Sequence, residues 1–239
     1  MDLGIRGKKA IVCASSRGLG KGCAMALAEA GCDLVVNGRD AEILARTATE
    51  IRDRFGVSVT EVPGDVADPA IQKQLLAVAQ QVDILVNNNG GPPFRPFSEL
   101  DREAILKGVT NNMVAPLELI QAVMDGMAER GFGRIVNITS LSVYMPISGL
   151  DLSSGARAGL TSVLAGVART VADRNVTINH MLPGKLDTDR LRGPHEPGTV
   201  EEPAARAARV DRLSAGIPAR RLGTPPGSSR AISSSRPSR

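Results

Sequence analysis

Short apolar runs alternate along the chain with segments in which apolar residues recur at helical spacing. Strands are predicted at residues 10–14, 34–37, 58–62, 84–87, 134–139 and 177–182. Helices are predicted at residues 19–30, 41–55, 69–82, 102–130 and 153–174. Gly31 is expected to end the first helix in the left-handed conformation. Strands that alternate with helices are typical of parallel sheets built from βαβ units, so the sequence predicts a doubly wound α/β fold.

Length and composition fit one sizeable core. The chain has 239 residues, of which 42% are hydrophobic. No apolar run approaches the roughly 20 residues that a membrane span needs, and residues 1–14 lead into a strand without the pattern of a signal peptide. We therefore expect a cytoplasmic protein with no membrane contact.

The net charge of +4 is unevenly distributed along the chain. Residues 203–239 contain eight arginines and one acid, Asp211, so this segment carries +7 and the remainder about −3. A body of that charge does not favour a nucleic-acid partner.

Three cysteines, Cys13, Cys23 and Cys32, lack CxxC spacing, and the chain has only two histidines. This set predicts neither a zinc site nor a disulfide framework. We expect the cysteines to be buried as small apolar side chains, and we predict no metal site.

Residues 13–20 form a glycine-containing turn between the first predicted strand and its helix. A helix N-terminus offers unpaired N–H groups and the positive end of the helix dipole, and glycines let the backbone approach a pyrophosphate. Because the turn opens the first βαβ unit, it predicts a phosphate site. An ordinary strand-to-helix turn is the alternative.

The chain resembles the short-chain dehydrogenase/reductase family, in the branch of the 3-oxoacyl-carrier-protein reductases, from about residue 5 to residue 223. The motifs that carry the resemblance are the Thr-Gly-x-x-x-Gly-x-Gly, Asn-Asn-Ala-Gly and Pro-Gly-x-x-x-Thr segments, at residues 13–20, 87–90 and 183–188. Ala14 replaces the first glycine of that family pattern. The resemblance implies a single Rossmann domain over residues 1–223 that binds a nicotinamide dinucleotide.

The cofactor site implied by the resemblance is spread over all three motifs and the ends of two strands. It comprises Ala14, Ser16, Arg17, Gly18, Leu19, Gly20, Arg39, Asp65, Val66, Asn88, Gly90, Pro183, Gly184 and Thr188.

The turn after the second strand indicates which dinucleotide binds. A carboxylate there would bind the ribose of NAD and repel a 2′-phosphate, but residues 37–39 read Asn-Gly-Arg. Arg39 and Arg17 can both pair with that phosphate, so NADP is favoured over NAD. If Arg39 is only a solvated turn residue, the preference for NADP stays open.

Asp65 and Val66 resemble the pair that holds the adenine of the cofactor. The alternative for Asp65 is the N-cap of the next helix.

Two of the family's four catalytic positions are matched. The resemblance assigns Ser140 to orient the substrate carbonyl and Asn112 to support a water relay. Ser153 stands at the tyrosine position, and Arg157, one helical turn later, stands at the lysine position. Arginine keeps a positive charge and donors toward a ribose. Serine does not replace a phenol as general acid, because an alkanol is much less acidic than a tyrosine with a pKa of about 10.

Tyr144 is the single tyrosine of the chain and lies four residues after Ser140, which makes it a candidate replacement donor. Lys185 is a candidate for the missing ammonium. The alternative interpretation of Tyr144 is a residue that packs its loop, and that of Lys185 is a solvated surface charge.

Residues 90–97 are interpreted as an apolar lip of the substrate pocket, on which Arg95 could meet an anionic group of the substrate. The alternative is that they form a plain surface loop. His195, in the segment that resembles the variable substrate lid, is assigned no chemistry.

From residue 224 onward the sequence is a Ser/Arg/Pro tail in place of the family's last helix and strand. We expect this tail to be disordered, and a frameshift and a natural basic tail both remain open as its origin. A homo-oligomer, dimer or tetramer, is expected if the C-terminal interface survives.

Two classes of function follow from these residues. The first is an NADP(H)-dependent oxidoreductase that reduces a small carbonyl substrate, for example a 3-oxoacyl group, or oxidises the alcohol with an altered proton donor. The second is a catalytically silent dinucleotide-binding protein that acts as a sensor or partner subunit.

Overall fold

A six-stranded parallel sheet forms the centre of the protein, with the strand order β3-β2-β1-β4-β5-β6. The computed structural model describes residues 2–92, 94–193 and 202–225. The strands are β1 Lys9–Val12, β2 Asp33–Gly38, β3 Val59–Pro63, β4 Ile84–Asn87, β5 Gly133–Ile138 and β6 Val176–Met181. This order reverses at β1, which is the topology of a dinucleotide-binding Rossmann fold. The predicted fold class is confirmed.

Helices connect the strands and cover both faces of the sheet. They are α1 Gly18–Glu29, α2 Ala41–Phe55, α3 Pro69–Ala79, α4 Arg102–Val109, α5 Ala115–Glu129, α6 Asp151–Val167, α7 Asp189–Arg192 and α8 Pro203–Ala215. Gly31 follows α1 with φ +85°, as predicted. None of the helices in the described ranges is both long enough and apolar enough to cross a membrane.

Successive side chains of a strand pack into two apolar layers, one on each face of the sheet. On β1, Ala10 and Val12 pack into the layer under α1 and α2, whereas Ile11 packs into the layer under α3, α5 and α6.

All three cysteines are free and buried, as expected. Burial raises the pKa of each cysteine thiol to about 12, so all three stay protonated. Within residues 2–92, 94–193 and 202–225 no side chains cluster to hold a metal ion.

The predicted helix 102–130 is interrupted by a π-helical turn, Thr110–Val114, between α4 and α5. Pro116 explains the interruption, because proline has no N–H to donate to the carbonyl one turn earlier. The predicted helical span is therefore confirmed, and the π-helical turn at Asn112 within it was not predicted.

The predicted helix 153–174 is also shorter in the structure. α6 ends at Val167, and two 3₁₀ turns over residues 168–170 and 172–174 lead to Asn175 with φ +58°. Likewise α3 ends at Ala79, three residues early, because Gln80 has φ +58°. A residue with positive φ, such as Gln80 directly after α3, stops a right-handed helix.

β6 lies at one edge of the sheet, and its side chains after the buried Val176 are only partly covered or exposed. Beyond it, Leu186 and Gly223 form an isolated parallel bridge. The predicted tail lies outside the described residues from position 226 onward, and His195 lies outside them as well.

Ala14 follows β1 in a backbone conformation that favours glycine. Its φ is +44°, in the left-handed region. Gly20 lies against it, because a Cβ at Gly20 would overlap the Ala14 carbonyl oxygen. The turn therefore has glycine at two of its three constrained positions, Gly18 with φ +55° and Gly20, and alanine at the third.

Replacing Ala14 with glycine is expected to stabilise the protein. The left-handed conformation costs an L-residue about 1–2 kcal/mol, and the greater unfolded-state entropy of glycine offsets part of the gain. We expect Ala14→Gly to raise the free energy of unfolding, measured in urea, by about 0.5–1 kcal/mol. Ala45→Gly, within α2, is the matched control and is expected to lower it by about 1 kcal/mol. A lower free energy of unfolding in Ala14→Gly would contradict the claim that the backbone of Ala14 is strained.

Candidate active site

The predicted phosphate turn is held in place by hydrogen bonds to the ends of two neighbouring strands. The Ala14 N–H donates to Asn37 Oδ1 at 3.2 Å, and Asn88 Nδ2 donates to the Ala14 carbonyl at 3.2 Å. α1 begins at Gly18, and its N-cap residue Arg17 makes no side-chain cap. The first N–H groups of α1 are therefore available to an anionic ligand.

Two arginines lie near this turn, as the sequence predicts. Arg17 is exposed, and its guanidinium lies 3.8 Å from the Asp40 carboxylate and 3.9 Å from that of Asp189. Asp40 is the N-cap of α2 and accepts from the Ile43 N–H. Arg39 is exposed on the rim of a cavity. Both arginines therefore lie near the end of β2, and their role toward a 2′-phosphate stays a prediction.

Asp65 is exposed after β3, and its carboxylate accepts from the Ala67 N–H at 3.0 Å. The N-cap of α3 is Asp68, whose carboxylate accepts from the Ala70 N–H. The alternative interpretation of Asp65 as the helix cap was therefore wrong. Val66 is buried.

A cavity of about 490 Å³ opens at the carboxyl edge of the sheet. Arg39 and Asp65 line one end of it, and Gly90, Arg95 and Asn112 line other parts of its wall. The volume lies in the range of known small-molecule sites. Ligands of doubly wound folds bind at this edge, and the cavity wall includes Asn112 of the predicted catalytic residues and three of the predicted cofactor residues, Arg39, Asp65 and Gly90.

Ser140 follows β5 and lies beside the segment after β6. The N–H of Leu141 donates to the Pro183 carbonyl at 3.2 Å, which brings Ser140 next to the predicted nicotinamide segment. Ser140 Oγ accepts from the Ser142 N–H at 3.1 Å and lies 2.9 Å from Ser142 Oγ. Thr188 caps α7 by accepting from the Leu191 N–H, so its hydroxyl oxygen is already engaged.

Asn112 is buried in the π-helical turn. Its Nδ2 donates to the Gly108 carbonyl, whereas its Oδ1 has no partner in the described part of the chain. Asn137 Nδ2 likewise has no hydrogen-bond partner in the described part of the chain. Both residues line a cavity of about 20 Å³, together with Arg157. Such a cavity has room for one water molecule, and it offers that water polar partners.

Arg157 is buried within α6, and its guanidinium points at the ends of two strands. Nη1 donates to the carbonyls of Ile138 at 2.6 Å and Thr139 at 3.2 Å. Nη2 donates to the Asn89 carbonyl at 3.4 Å, and Nε donates to Ser153 Oγ at 3.1 Å. Burial, and secondarily the charge of Arg190, lowers the Arg157 pKa to about 10, so it stays charged at neutral pH.

The sequence profile of the short chain dehydrogenase family matches residues 8–196. The chain belongs to this family. It is 32% identical to the 3-oxoacyl-[acyl-carrier-protein] reductase of Aquifex aeolicus over 196 residues, which is 79% of this chain and 78% of that protein.

Solved structures of reductases share the fold of this short-chain dehydrogenase. L-sorbose reductase from Gluconobacter frateurii, complexed with NADPH and L-sorbose, has a TM-score of 0.90 at 26% identity, covering 98% of this chain and 91% of that one. The 3-oxoacyl reductase from Agrobacterium tumefaciens with NADP bound has a TM-score of 0.87 at 26% identity, covering 97% and 88%.

Within this short-chain dehydrogenase, Arg157 bonds to other groups of the protein. Its hydrogen bonds go to three backbone carbonyls and Ser153. The sequence-based expectation that arginine keeps donors toward a ribose stays a prediction. A guanidinium is longer than an ammonium and carries donors in a planar fork, so it reaches the strand ends.

Tyr144 and Lys185 are both on the surface. Tyr144 is 73% exposed, so the interpretation as a loop packing residue was wrong. Its role as proton donor stays a prediction. Lys185 is exposed, and its Nζ lies near Gly216 at the end of α8, where the helix dipole favours a cation. This position supports the alternative interpretation of Lys185 as a surface charge.

Two further residues, which the sequence analysis did not single out, contact the candidate site. Ser142 contacts Ser140, and Arg190 of α7 donates to the carbonyls of Gly91 and Pro92 at 2.9 Å each. The Arg190 contacts span about a hundred residues of sequence, and no local pattern predicts them. They tie α7 to the loop after β4 beside the cavity.

Removing the Arg157 side chain is expected to destabilise the fold. Arg157→Ala leaves buried carbonyls without donors and opens a cavity, so we expect the free energy of unfolding in urea to fall by about 2–3 kcal/mol. The control is Arg169→Ala, an exposed arginine after the same helix, for which we expect a change within about 0.5 kcal/mol. Equal effects of the two substitutions would show that the Arg157 contacts do not stabilise the protein.

Proposed function

We propose that this short-chain dehydrogenase is an NADP(H)-dependent oxidoreductase that reduces a carbonyl substrate, such as a 3-oxoacyl group, or oxidises the corresponding alcohol. The observation that carries the proposal is the position of Ser140 after β5, where the hydrogen bond from Leu141 to Pro183 brings it beside the segment that follows β6. Relatives in sequence and in structure are reductases of 3-oxoacyl groups and of a sugar.

The glycine turn fits a dinucleotide. A side chain at Gly20 would overlap the backbone of Ala14, and the first turn of α1 has no side-chain cap. In our proposal the α1 N-terminus holds the pyrophosphate, and Arg17 and Arg39 hold a 2′-phosphate. A reduced nicotinamide bound there would supply the hydride. Ser140 donates a hydrogen bond to the carbonyl oxygen, which gains negative charge as the reaction proceeds.

The preference for NADP is tested at Arg39. Loss of a guanidinium that pairs with the 2′-phosphate is expected to weaken NADPH binding at least about tenfold in Arg39→Ala, and to leave NADH binding unchanged. Nicotinamide fluorescence titrations measure both affinities. Arg46→Ala, an exposed arginine on α2, is the control and is expected to change neither. An equal loss of affinity for NADPH and NADH would show that Arg39 does not bind the 2′-phosphate.

The proton donor of this proposal is atypical. Ser153 is buried and its oxygen accepts from Arg157, and its alkanol is too weak an acid for the task. Tyr144 is the only phenol in the chain, and its loop is attached to Pro183 through Leu141. We therefore assign proton donation to Tyr144.

Tyr144→Phe is expected to lower kcat for NADPH-dependent reduction of 3-oxoacyl thioesters at least about 100-fold, because general acid catalysis contributes about 10² to 10⁴ in rate. NADPH affinity is expected to stay the same. Met145→Leu, at the exposed neighbouring residue, is the control for disturbance of the loop. Full activity in Tyr144→Phe would exclude Tyr144 as the donor.

A catalytically silent dinucleotide-binding protein is the second candidate. The observation that favours it is the engagement of Arg157 and Ser153 with each other and with the strand ends. Tight NADPH binding without turnover across a panel of ketones and 3-oxoacyl thioesters would support this candidate over the reductase.

We further propose that the protein forms a homo-oligomer. Apolar side chains remain exposed on neighbouring helices, among them Ile105 and Leu106 of α4 and Val163 of α6. A contiguous apolar patch is typical of a surface that another chain covers, and we propose that these side chains belong to one such patch.

A further inference from the structure

Two serine hydroxyls meet just beyond the end of β5. Ser142 Oγ lies 2.9 Å from Ser140 Oγ, and the Ser142 N–H donates to that same oxygen at 3.1 Å. Ser142 is 2% exposed, whereas Ser140 is only partly buried. Ser142 belongs to none of the motifs that the sequence analysis singled out. Its contact with Ser140 therefore needs a separate explanation.

Burial decides the direction of the bond between the two hydroxyls. A serine hydroxyl has one proton to donate and two lone pairs that accept. In the described part of the chain, the acceptor recorded for the Ser142 hydroxyl is Ser140 Oγ. If Ser140 donated instead, the Ser142 proton would be buried without an acceptor, which is unfavourable. Ser142 is therefore the donor.

Two hydrogen bonds from Ser142 occupy both lone pairs of Ser140 Oγ. Ser140 then retains its own O–H and can bond only to an acceptor. Hydrogen bonds accepted by an oxygen also polarise its O–H and strengthen the bond that it donates. A substrate carbonyl oxygen is such an acceptor, and it attracts the donor more strongly as it gains negative charge.

We infer that Ser142 is a positioning residue that commits Ser140 to donate to the carbonyl oxygen of the substrate. This inference rests on the proposed reductase function. Ser142 acts through Ser140 and does not touch the substrate. Ser140 keeps its proton throughout, because the proton that completes the alcohol product comes from the separate donor.

Infrared spectroscopy of a bound ketone tests this role without turnover. The probe is a 3-oxobutanoyl thioester of N-acetylcysteamine, ¹³C-labelled at the keto carbon and bound to the full chain with NADP⁺, which cannot reduce it. A donated hydrogen bond lowers the frequency of the carbonyl stretch. We expect that frequency to rise in Ser142→Ala and to stay at the wild-type value in Ser142→Thr, which retains the hydroxyl.

Kinetics give a second readout of the same variants. Ser142→Ala is expected to lower kcat for the same thioester with NADPH about tenfold, while KM changes less than about twofold, because the lost interaction acts mainly on the transition state. The matched control is Ser154→Ala, whose hydroxyl donates to the Leu150 carbonyl within its own helix, and it is expected to change neither readout. If Ser142→Ala does not fold, Ser142→Cys keeps the shape of the side chain with a weaker donor and carries the same expectation.

Each outcome of these measurements decides the inference. A raised stretch that Ser142→Thr restores would support it. An unchanged stretch in Ser142→Ala with the ketone still bound would overturn it, as would an equal effect in Ser154→Ala. Absence of a bound-ketone band in the wild-type protein would contradict the reductase function itself, and the role of Ser142 would fall with it.

Discussion

The guanidinium of Arg157 is the contact on which the arrangement of the candidate site depends. It ties α6 to the carboxyl ends of β4 and β5, through the Asn89 carbonyl and those of Ile138 and Thr139. It also holds the hydroxyl of Ser153. Because these acceptors are neutral oxygen atoms, burial lowers the Arg157 pKa, yet the side chain remains a cation at neutral pH.

The candidate site has two chemically different parts. At the phosphate end, the turn before α1 combines an uncapped helix N-terminus with a close approach that needs Gly20. At the other end, the positions of the family's tyrosine and lysine hold a serine and an arginine that bond to each other. In our proposal the first part binds the cofactor. Proton donation then comes from outside the serine–arginine pair, and Ser140 and Ser142 polarise the carbonyl.

The sheet was predictable from sequence because its signal is local. Alternating residues such as Ile11 and Val12 enter opposite apolar layers, and each strand carries that pattern within itself. The π-helical turn at Asn112 was missed because one proline changes the hydrogen-bond register without altering the apolar pattern. The partners of Arg157 and Arg190 were missed because both arginines bond to backbone carbonyls distant in sequence, and such acceptors leave no residue signature.

Transfer of deuteride from NADPH to a ketone is the most direct test of the central claim, that this family member still reduces carbonyl compounds. The full chain is incubated with a 3-oxoacyl thioester and NADPH deuterated at the transferable position of C4, and the product is analysed by mass spectrometry. The account predicts a 3-hydroxyacyl product that carries deuterium on the carbinol carbon. A protein that binds NADPH and yields no labelled alcohol would contradict it.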